Sequence, residues 1–166
     1  MEEERPSNLE KNPAVAHDND ESIDILVVED DDIQRKSIVA VLRACLLEAK
    51  IANVSGGDDA LDFLLGRGAW INRAKEIPPK LVLLDLAMPG GDGFSVLTQI
   101  RTKESEEAIT LTPMVIFSDS QEPNDIRYSY RCGANVYVIK PLSYRDFEAI
   151  VKSVGQYWMS INTAVT

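Results

Sequence analysis

A run of four apolar residues, Leu81-Val82-Leu83-Leu84, ends directly at the carboxylate of Asp85. Apolar side chains at every position predict a strand that is buried on both faces, as the strands of parallel sheets are. Ile25-Leu26-Val27-Val28 has the same character and ends in Glu29-Asp30. These two segments predict the centre of a parallel sheet.

Three further strands and five helices can be placed around this pair. Apolar segments predict strands at residues 49–54, 113–117 and 136–139. Helical spacing predicts helices from residue 33 to 46, over 58–65, over 94–101, over 124–132 and from Ser143 onward. Ser143 and Asp146 have the spacing of a capping box. Strands that alternate with helices predict a parallel sheet covered by helices on both faces, an α/β fold.

The chain divides into one domain and two tails. Residues 1–22 are polar and acidic without periodicity, which predicts a disordered arm, and residues 23–155 form the domain. Residues 156–166 extend the last helix and begin with the aromatic pair Tyr157-Trp158 after Gln156. Two interpretations of this pair are open, core at the end of an amphipathic helix or a dimer contact, and we favour the dimer contact.

Composition excludes several classes of protein. The formal net charge of −10 repels phosphate backbones, so we expect no nucleic-acid binding. No segment has the apolar length of a membrane span, and the N-terminus lacks the apolar core of a signal peptide. Cys45 and Cys132 lack metal-ligand spacing, and we interpret both as reduced thiols. We therefore expect a cytoplasmic protein that does not enter membranes.

Polar side chains stand where the predicted strands end. They are Glu29 and Asp30 after the first strand, Asp85 after the third, Ser118 after the fourth and Lys140 after the fifth. In such sheets ligands bind outside the carboxyl ends of the strands. Each residue alone has an ordinary explanation, as a helix cap, a turn former, a strand-end hydroxyl or a surface lysine. Acid, acid, hydroxyl and lysine together are hard to obtain by chance, so we predict a site.

The chemistry of this set indicates phosphoryl transfer. Three carboxylates brought together repel one another unless a cation joins them, and Mg²⁺ prefers a few such oxygens plus water. A hydroxyl and an ammonium nearby can hold two phosphoryl oxygens. The central carboxylate, Asp85, can then act as the nucleophile and form an aspartyl phosphate.

The motifs around these residues resemble the response-regulator receiver family of two-component systems. They are Val27-Val28-Glu29-Asp30, residues 83–93 from Leu83-Leu84-Asp85 to Gly93, Ser118, and Val138-Ile139-Lys140-Pro141. The resemblance extends over residues 22–155. It implies a flavodoxin-like (βα)5 fold, in which a doubly wound parallel five-stranded sheet has the strand order 2-1-3-4-5.

The resemblance implies a role for each acid. Asp85 is the phosphoacceptor and a metal ligand, and Asp30 is a direct Mg²⁺ ligand. Glu29 holds the metal through water, and the backbone carbonyl of Ala87 is another ligand. Glu29 stands where the family more often has Asp, which keeps the chemistry.

It also implies how the phosphorylated state is recognised. Ser118 follows the phosphoryl group, Lys140 pairs with it, and Tyr137 is the aromatic switch that moves inward. The Lys140–Pro141 bond is expected to be cis. Ala87 and Ser120 match positions that modulate dephosphorylation, and neither side chain can orient water as an acid or an amide does, so the phosphate lifetime stays open.

A narrower resemblance is to single-domain regulators partnered with bacterial phytochrome kinases. It rests on the loop from Trp70 to Pro79, the stretch 118–130 and the pair Tyr157-Trp158. It implies a sensor histidine kinase regulated by light as the donor. It also implies a homodimer built on the last two helices and the fifth strand.

Three functions are weighed against one another. The first is a signalling switch that catalyses only its own phosphotransfer and dephosphorylation and moves the face formed by its fourth helix, fifth strand and fifth helix. The second is a phosphatase with an aspartyl nucleophile, but such enzymes often carry a second acid where this chain has Ala87. The third is an interaction module that takes no phosphate, which the complete set of acids, hydroxyl and lysine disfavours. We therefore expect the switch.

Overall fold

A computed structural model of the chain describes residues 22–73, 77–88, 93–102 and 107–164. The strands are β1 (Ile25–Val28), β2 (Ile51–Val54), β3 (Leu81–Leu84), β4 (Met114–Ser118) and β5 (Val136–Ile139). The α-helices are α1 (Asp32–Cys45), α2 (Gly57–Leu65), α3 (Gly93–Ile100), α4 (Glu107–Thr110), α5 (Pro123–Arg131) and α6 (Tyr144–Gln156). A 3-10 helix spans Gly68–Arg73, and a π-helical turn spans Tyr157–Ile161.

The five strands form one parallel sheet in the order β2-β1-β3-β4-β5. The predicted flavodoxin-like α/β fold and its strand order are therefore confirmed. Because successive side chains of a strand point to opposite faces, β1 contributes Leu26 and Val28 to one core and Ile25 and Val27 to the other. The first core lies under α2 and α3, and the second lies under α1 and α6.

Two short helices were not predicted. Residues 107–110 form a single turn, so the fourth and fifth helices predicted from the sequence are α5 and α6. The 3-10 helix overlaps the start of the loop that was predicted from Trp70 to Pro79. It packs on α2 through tertiary contacts, since the Arg73 guanidinium stacks 3.9 Å from the Phe63 ring centroid and Trp70 meets the same ring edge-on at 4.9 Å. Such contacts produce no periodic pattern in the sequence, so this helix could not be predicted from it.

The aromatic pair Tyr157-Trp158 follows α6, and its two side chains have different environments. Ser143 caps α6 at its start by accepting a hydrogen bond from the Asp146 amide at 3.1 Å. At the other end Trp158 packs against the core under α1 and α6, whereas Tyr157 keeps 48% of its surface exposed. Core packing therefore explains Trp158, and only Tyr157 is left for an interface.

Some of the remaining predictions concern residues that the structure describes, and others do not. Residues 1–21, predicted to be a disordered arm, lie outside the described residues, and so do residues 165 and 166. Within the ranges that are described, no helix is both long and apolar enough to cross a membrane. Cys45 and Cys132 are free thiols.

Candidate functional site

Three carboxylates meet at the carboxyl end of the sheet. Strands β1 and β3 are neighbours, and the last residue of each, Val28 and Leu84, are paired in the parallel register. The residues that follow them are therefore adjacent. Oxygen atoms of Glu29, Asp30 and Asp85 all lie within 4.8 Å of one another. Register alone brings these acids together.

A buried lysine lies among the acids. Lys140 follows β5, and its backbone amide donates a hydrogen bond to the carbonyl of Ser118 at 2.8 Å. Its Nζ atom lies 2.7 Å from Glu29 Oε2 and 3.5 Å from Asp85 Oδ2. The lysine and both acids are almost fully buried, with exposures of 5%, 2% and 6%. One ammonium is thus shared by two buried carboxylates.

The electrostatics of the site favour an added cation. Burial raises the pKa of Glu29 to about 7, and the charge of Asp85 also raises it, although the hydrogen bond from Lys140 opposes the shift. Burial also raises the pKa of Asp85. For Lys140, burial alone would lower the pKa, but the hydrogen bond to Glu29 and the charge of Asp85 outweigh burial and raise it. When all three acids are ionised, one lysine leaves an uncompensated negative charge.

The donor set fits a hard divalent cation. The available groups are carboxylate oxygens, which Mg²⁺ binds at about 2.1 Å, so that two of its ligands lie up to about 4.2 Å apart. The spread of 4.8 Å among the three acids is close to this span. Glu29 is already paired with Lys140, which leaves Asp30 and Asp85 as the acids best able to bind directly. Asp30 is half-buried and Ala87 is exposed, so solvent reaches this side of the site.

Supporting contacts that the sequence did not reveal fix the loop after β1. Asp31, rather than Glu29 or Asp30, caps α1 by accepting a hydrogen bond from the Gln34 amide at 2.8 Å. The Asp31 amide in turn donates to Glu29 Oε1 at 3.1 Å. Arg35 donates to the carbonyl of Glu29 at 2.9 Å. The acidic segment after β1 was the only sequence signal for a cap of α1, and it did not identify which of its acids is the capping residue.

A glycine allows α3 to approach the phosphoacceptor candidate. A Cβ atom on Gly93 would lie 2.4 Å from the backbone carbonyl oxygen of Asp85, closer than real Cβ atoms come. The Gly93 amide donates to the carbonyl of Leu86 at 3.0 Å, and the Leu86 amide donates to Asp85 Oδ1 at 2.8 Å. Glycine is therefore required here by close packing of backbone against backbone.

The remaining candidate residues lie along β4 and β5. Ser118 is the last residue of β4 and is 2% exposed. Tyr137 is half-buried, packs against the core under α2 and α3, and donates its hydroxyl to the Ser120 carbonyl at 2.9 Å. None of the described peptide bonds is cis, so the expectation of a cis Lys140–Pro141 bond is wrong. Trans is the lower-energy form of an X–Pro bond in the absence of tertiary constraint.

Comparison with known families agrees with this geometry. The profile of the response regulator receiver domain matches residues 25–152. The chain belongs to the response-regulator receiver family. Membership implies a histidine kinase as partner and a divalent metal at the acidic cluster of this receiver.

The receiver is similar to single-domain proteins of about its own length. It is 34% identical to the probable methanogenesis regulatory protein FilR2 of Methanothrix harundinacea, over 83% of this chain and 84% of that one. The phosphorylated cyanobacterial phytochrome response regulator RcpA superposes with a TM-score of 0.78 at 29% identity, covering 87% of this chain and 99% of the other.

Another relative was solved with a metal. The Mn²⁺-bound form of response regulator Rcp1, a protein of Synechocystis, also superposes with a TM-score of 0.78, at 26% identity, covering 87% of this chain and all of the other. The predicted resemblance to phytochrome-associated regulators is thereby confirmed.

Proposed function

We propose that this receiver accepts a phosphoryl group on Asp85 from the phosphohistidine of a sensor histidine kinase. The observation that carries the proposal is the group of Glu29, Asp30, Asp85 and Lys140 at the carboxyl end of the sheet. Its two buried acids, Glu29 and Asp85, have raised pKa values and need a cation when they are ionised.

Each residue has a role in the transfer. The phosphorus–nitrogen bond of the donor breaks as a bond forms from phosphorus to an oxygen of Asp85. Lys140, already 3.5 Å from Asp85 Oδ2, pairs with one phosphoryl oxygen, and Ser118 donates a hydrogen bond to another. Asp30, Asp85 and the Ala87 carbonyl are the groups that would hold Mg²⁺ directly, and Glu29 would hold it through water. The bound Mg²⁺ would neutralise the acids and the incoming phosphate.

The response is a change of the face formed by α5, β5 and α6. Tyr137 on β5 is hydrogen-bonded to the loop that follows β4, so a movement of Ser118 is transmitted to β5 through that loop. We propose that this face also forms a homodimer and that the donor is a phytochrome kinase, since the structural neighbours include phytochrome response regulators. Gel filtration of Tyr157→Ser tests the contribution of the exposed Tyr157, and an unchanged elution volume would count against it. Ile71→Ser, which alters an exposed apolar residue in the 3-10 helix after α2, is the control.

The receiver is a switch and not an enzyme with an external substrate. Ala87 stands two residues after the nucleophile, where it can supply neither a proton nor a base. We therefore expect catalysis of its own phosphorylation and dephosphorylation only. The protein is expected to work in the cytoplasm, where the catalytic domains of such kinases act.

Intact mass after incubation with a small-molecule phosphodonor tests the proposal. One phosphate adduct is expected on the wild-type chain when Mg²⁺ is present, and none on Asp85→Asn or in EDTA. Asp119→Asn, an exposed acid next to Ser118, serves as the matched control and should still be modified. A folded wild-type protein without an adduct would favour the module that takes no phosphate.

A further inference from the structure

The hydroxyl of Ser118 is oriented by the loop that follows it. Its Oγ atom accepts a hydrogen bond from the Ser120 amide at 3.2 Å. Among the residues that the structure describes, none accepts the proton of this hydroxyl. The Ser120 amide thus occupies a lone pair of Ser118 Oγ. The proton of the Ser118 hydroxyl remains available to another acceptor.

Ser120 is held through all of its polar groups. Its carbonyl accepts the hydroxyl of Tyr137 at 2.9 Å, and its own hydroxyl accepts from the Glu122 amide at 3.3 Å. That hydroxyl also donates to Asp125 Oδ2 at 2.6 Å. The bond to Asp125 is short and has an ionised acceptor, which makes it the strongest type among these contacts. Ser120 therefore connects the Ser118 hydroxyl with Tyr137, and Asp125 anchors the connection.

Asp125 is itself fixed at the start of α5. It lies in the first turn of this helix, where negative charge is favourable, and is half-buried. Its backbone carbonyl accepts the hydroxyl of the fully buried Ser129 at 2.8 Å. The carboxylate therefore joins the body of α5 to the loop of the site.

We propose that Asp125 is a positioning residue that sets how tightly the receiver holds a phosphoryl group. By fixing Ser120, Asp125 places both the amide that orients Ser118 and the carbonyl that holds Tyr137. Loss of the carboxylate frees the loop, so that Ser118 no longer presents its proton and Tyr137 loses its acceptor. This role rests on the proposed function, because it acts on the phosphoryl group at Asp85.

Binding of beryllofluoride with Mg²⁺, a stand-in for the aspartyl phosphate, provides the test. Titration calorimetry should show a dissociation constant about tenfold higher for Asp125→Ala than for wild type, as expected for one hydrogen bond to a charged group. Ser120→Ala should lose about the same, and the double variant should be no weaker than either single variant. Asp125→Asn keeps an acceptor for the Ser120 hydroxyl and should recover most of the affinity.

Asp146→Ala is the matched control. Asp146 lies in the first turn of α6, as Asp125 does in α5, but it is exposed and distant in sequence from the loop after β4. Removing it tests the loss of a helix-terminal charge alone, and affinity should stay at the wild-type value. Thermal unfolding of every variant checks that the proteins are folded, and the amide resonance of Tyr137 should shift in Asp125→Ala and not in Asp146→Ala.

Two results would overturn the proposal in different ways. Wild-type affinity in Asp125→Ala, or losses that add in the double variant, would exclude the positioning role while leaving phosphorylation of Asp85 intact. A folded wild-type protein that binds no beryllofluoride would overturn the proposed function, and the role of Asp125 with it.

Discussion

The two ends of the sheet differ in the groups that surround their buried charges. At the amino end Arg101 donates to the carbonyls of Gly133 and Thr110 and to Asn135 Oδ1, and Asn135 also accepts the Met114 amide at 2.8 Å. All of these partners of Arg101 are neutral. At the carboxyl end, three acids gather around one lysine.

The difference indicates which end carries the function. Hydrogen bonds from a cation to backbone carbonyls stabilise the folded chain without needing a ligand. Buried acids with raised pKa values destabilise it when ionised, and they persist where a ligand offsets the penalty. The amino end thus connects α3 to the starts of β4 and β5, and the carboxyl end carries the acidic cluster that the proposed function requires.

Lys140→Met should give the largest loss of stability. It leaves Glu29 and Asp85 buried without their cation, and breaking a buried ion pair from one side costs about 3 to 5 kcal/mol. Urea unfolding in EDTA, at a pH of about 8 where the acids are ionised, measures the change. The loss should shrink at lower pH, because the acids can then take up protons.

Lys80→Met applies the same substitution to an ion pair at the amino end. Lys80 Nζ lies 2.8 Å from Asp24 Oδ1, but its side chain is 53% exposed. An exposed pair contributes about 0.5 kcal/mol, so this variant should unfold almost as the wild type does. Equal losses in the two lysine variants would remove the contrast between the ends.

Arg101→Met should lower the free energy of unfolding by about 2 to 3 kcal/mol, less than Lys140→Met does. The reason is that hydrogen bonds to two carbonyls and one amide oxygen are lost together. Arg101→Lys keeps the charge but cannot reach all three acceptors, so its loss should be intermediate. Beryllofluoride affinity should not change in either variant at temperatures where both are folded. A fall in affinity without unfolding would mean that the amino end also serves the site.

The titration of Glu29 should make the stability of the protein depend on pH. Its pKa rises from 4.5 to about 7 in the folded protein. The folded state therefore retains a proton that the unfolded state has lost, and the contribution of Glu29 to the free energy of unfolding falls as pH rises between these values. Relative to Glu29→Gln, wild type in EDTA should lose about 2 to 3 kcal/mol of its free energy of unfolding between about pH 5 and about pH 8. A constant difference between the two proteins would contradict the assignment.

Sequence alone predicts the carboxyl end well because it depends on register. Parallel strands end at one edge of the sheet, so residues such as Glu29 and Asp85 that follow β1 and β3 must lie side by side once those strands pair. The apolar run before Asp85 marks the strand, and the acid marks its end. Geometry of this kind is readable from a linear pattern.

The amino end and the supporting contacts are not readable in this way. Arg101 meets Gly133 and Asn135 across more than thirty residues of sequence, at distances of 3.0 and 2.9 Å, and only the packed fold sets these separations. The requirement for Gly93 arises from the backbone of Asp85, and the bond from Ser120 to Asp125 depends on the path of the loop. Each needs coordinates because its partner is chosen by tertiary packing.

The most direct test of the account is the stability of the protein as a function of Mg²⁺. With free Mg²⁺ at about 100 times its dissociation constant, the free energy of unfolding should rise by about 2.7 kcal/mol. Asp32→Asn, which alters an exposed acid paired with Lys36, should gain as much as the wild type, and Asp30→Asn should gain little. Unfolding that is unaffected by Mg²⁺ in the wild type, or an equal gain in Asp30→Asn, would contradict the claim that the carboxyl end of the sheet is built to hold a cation.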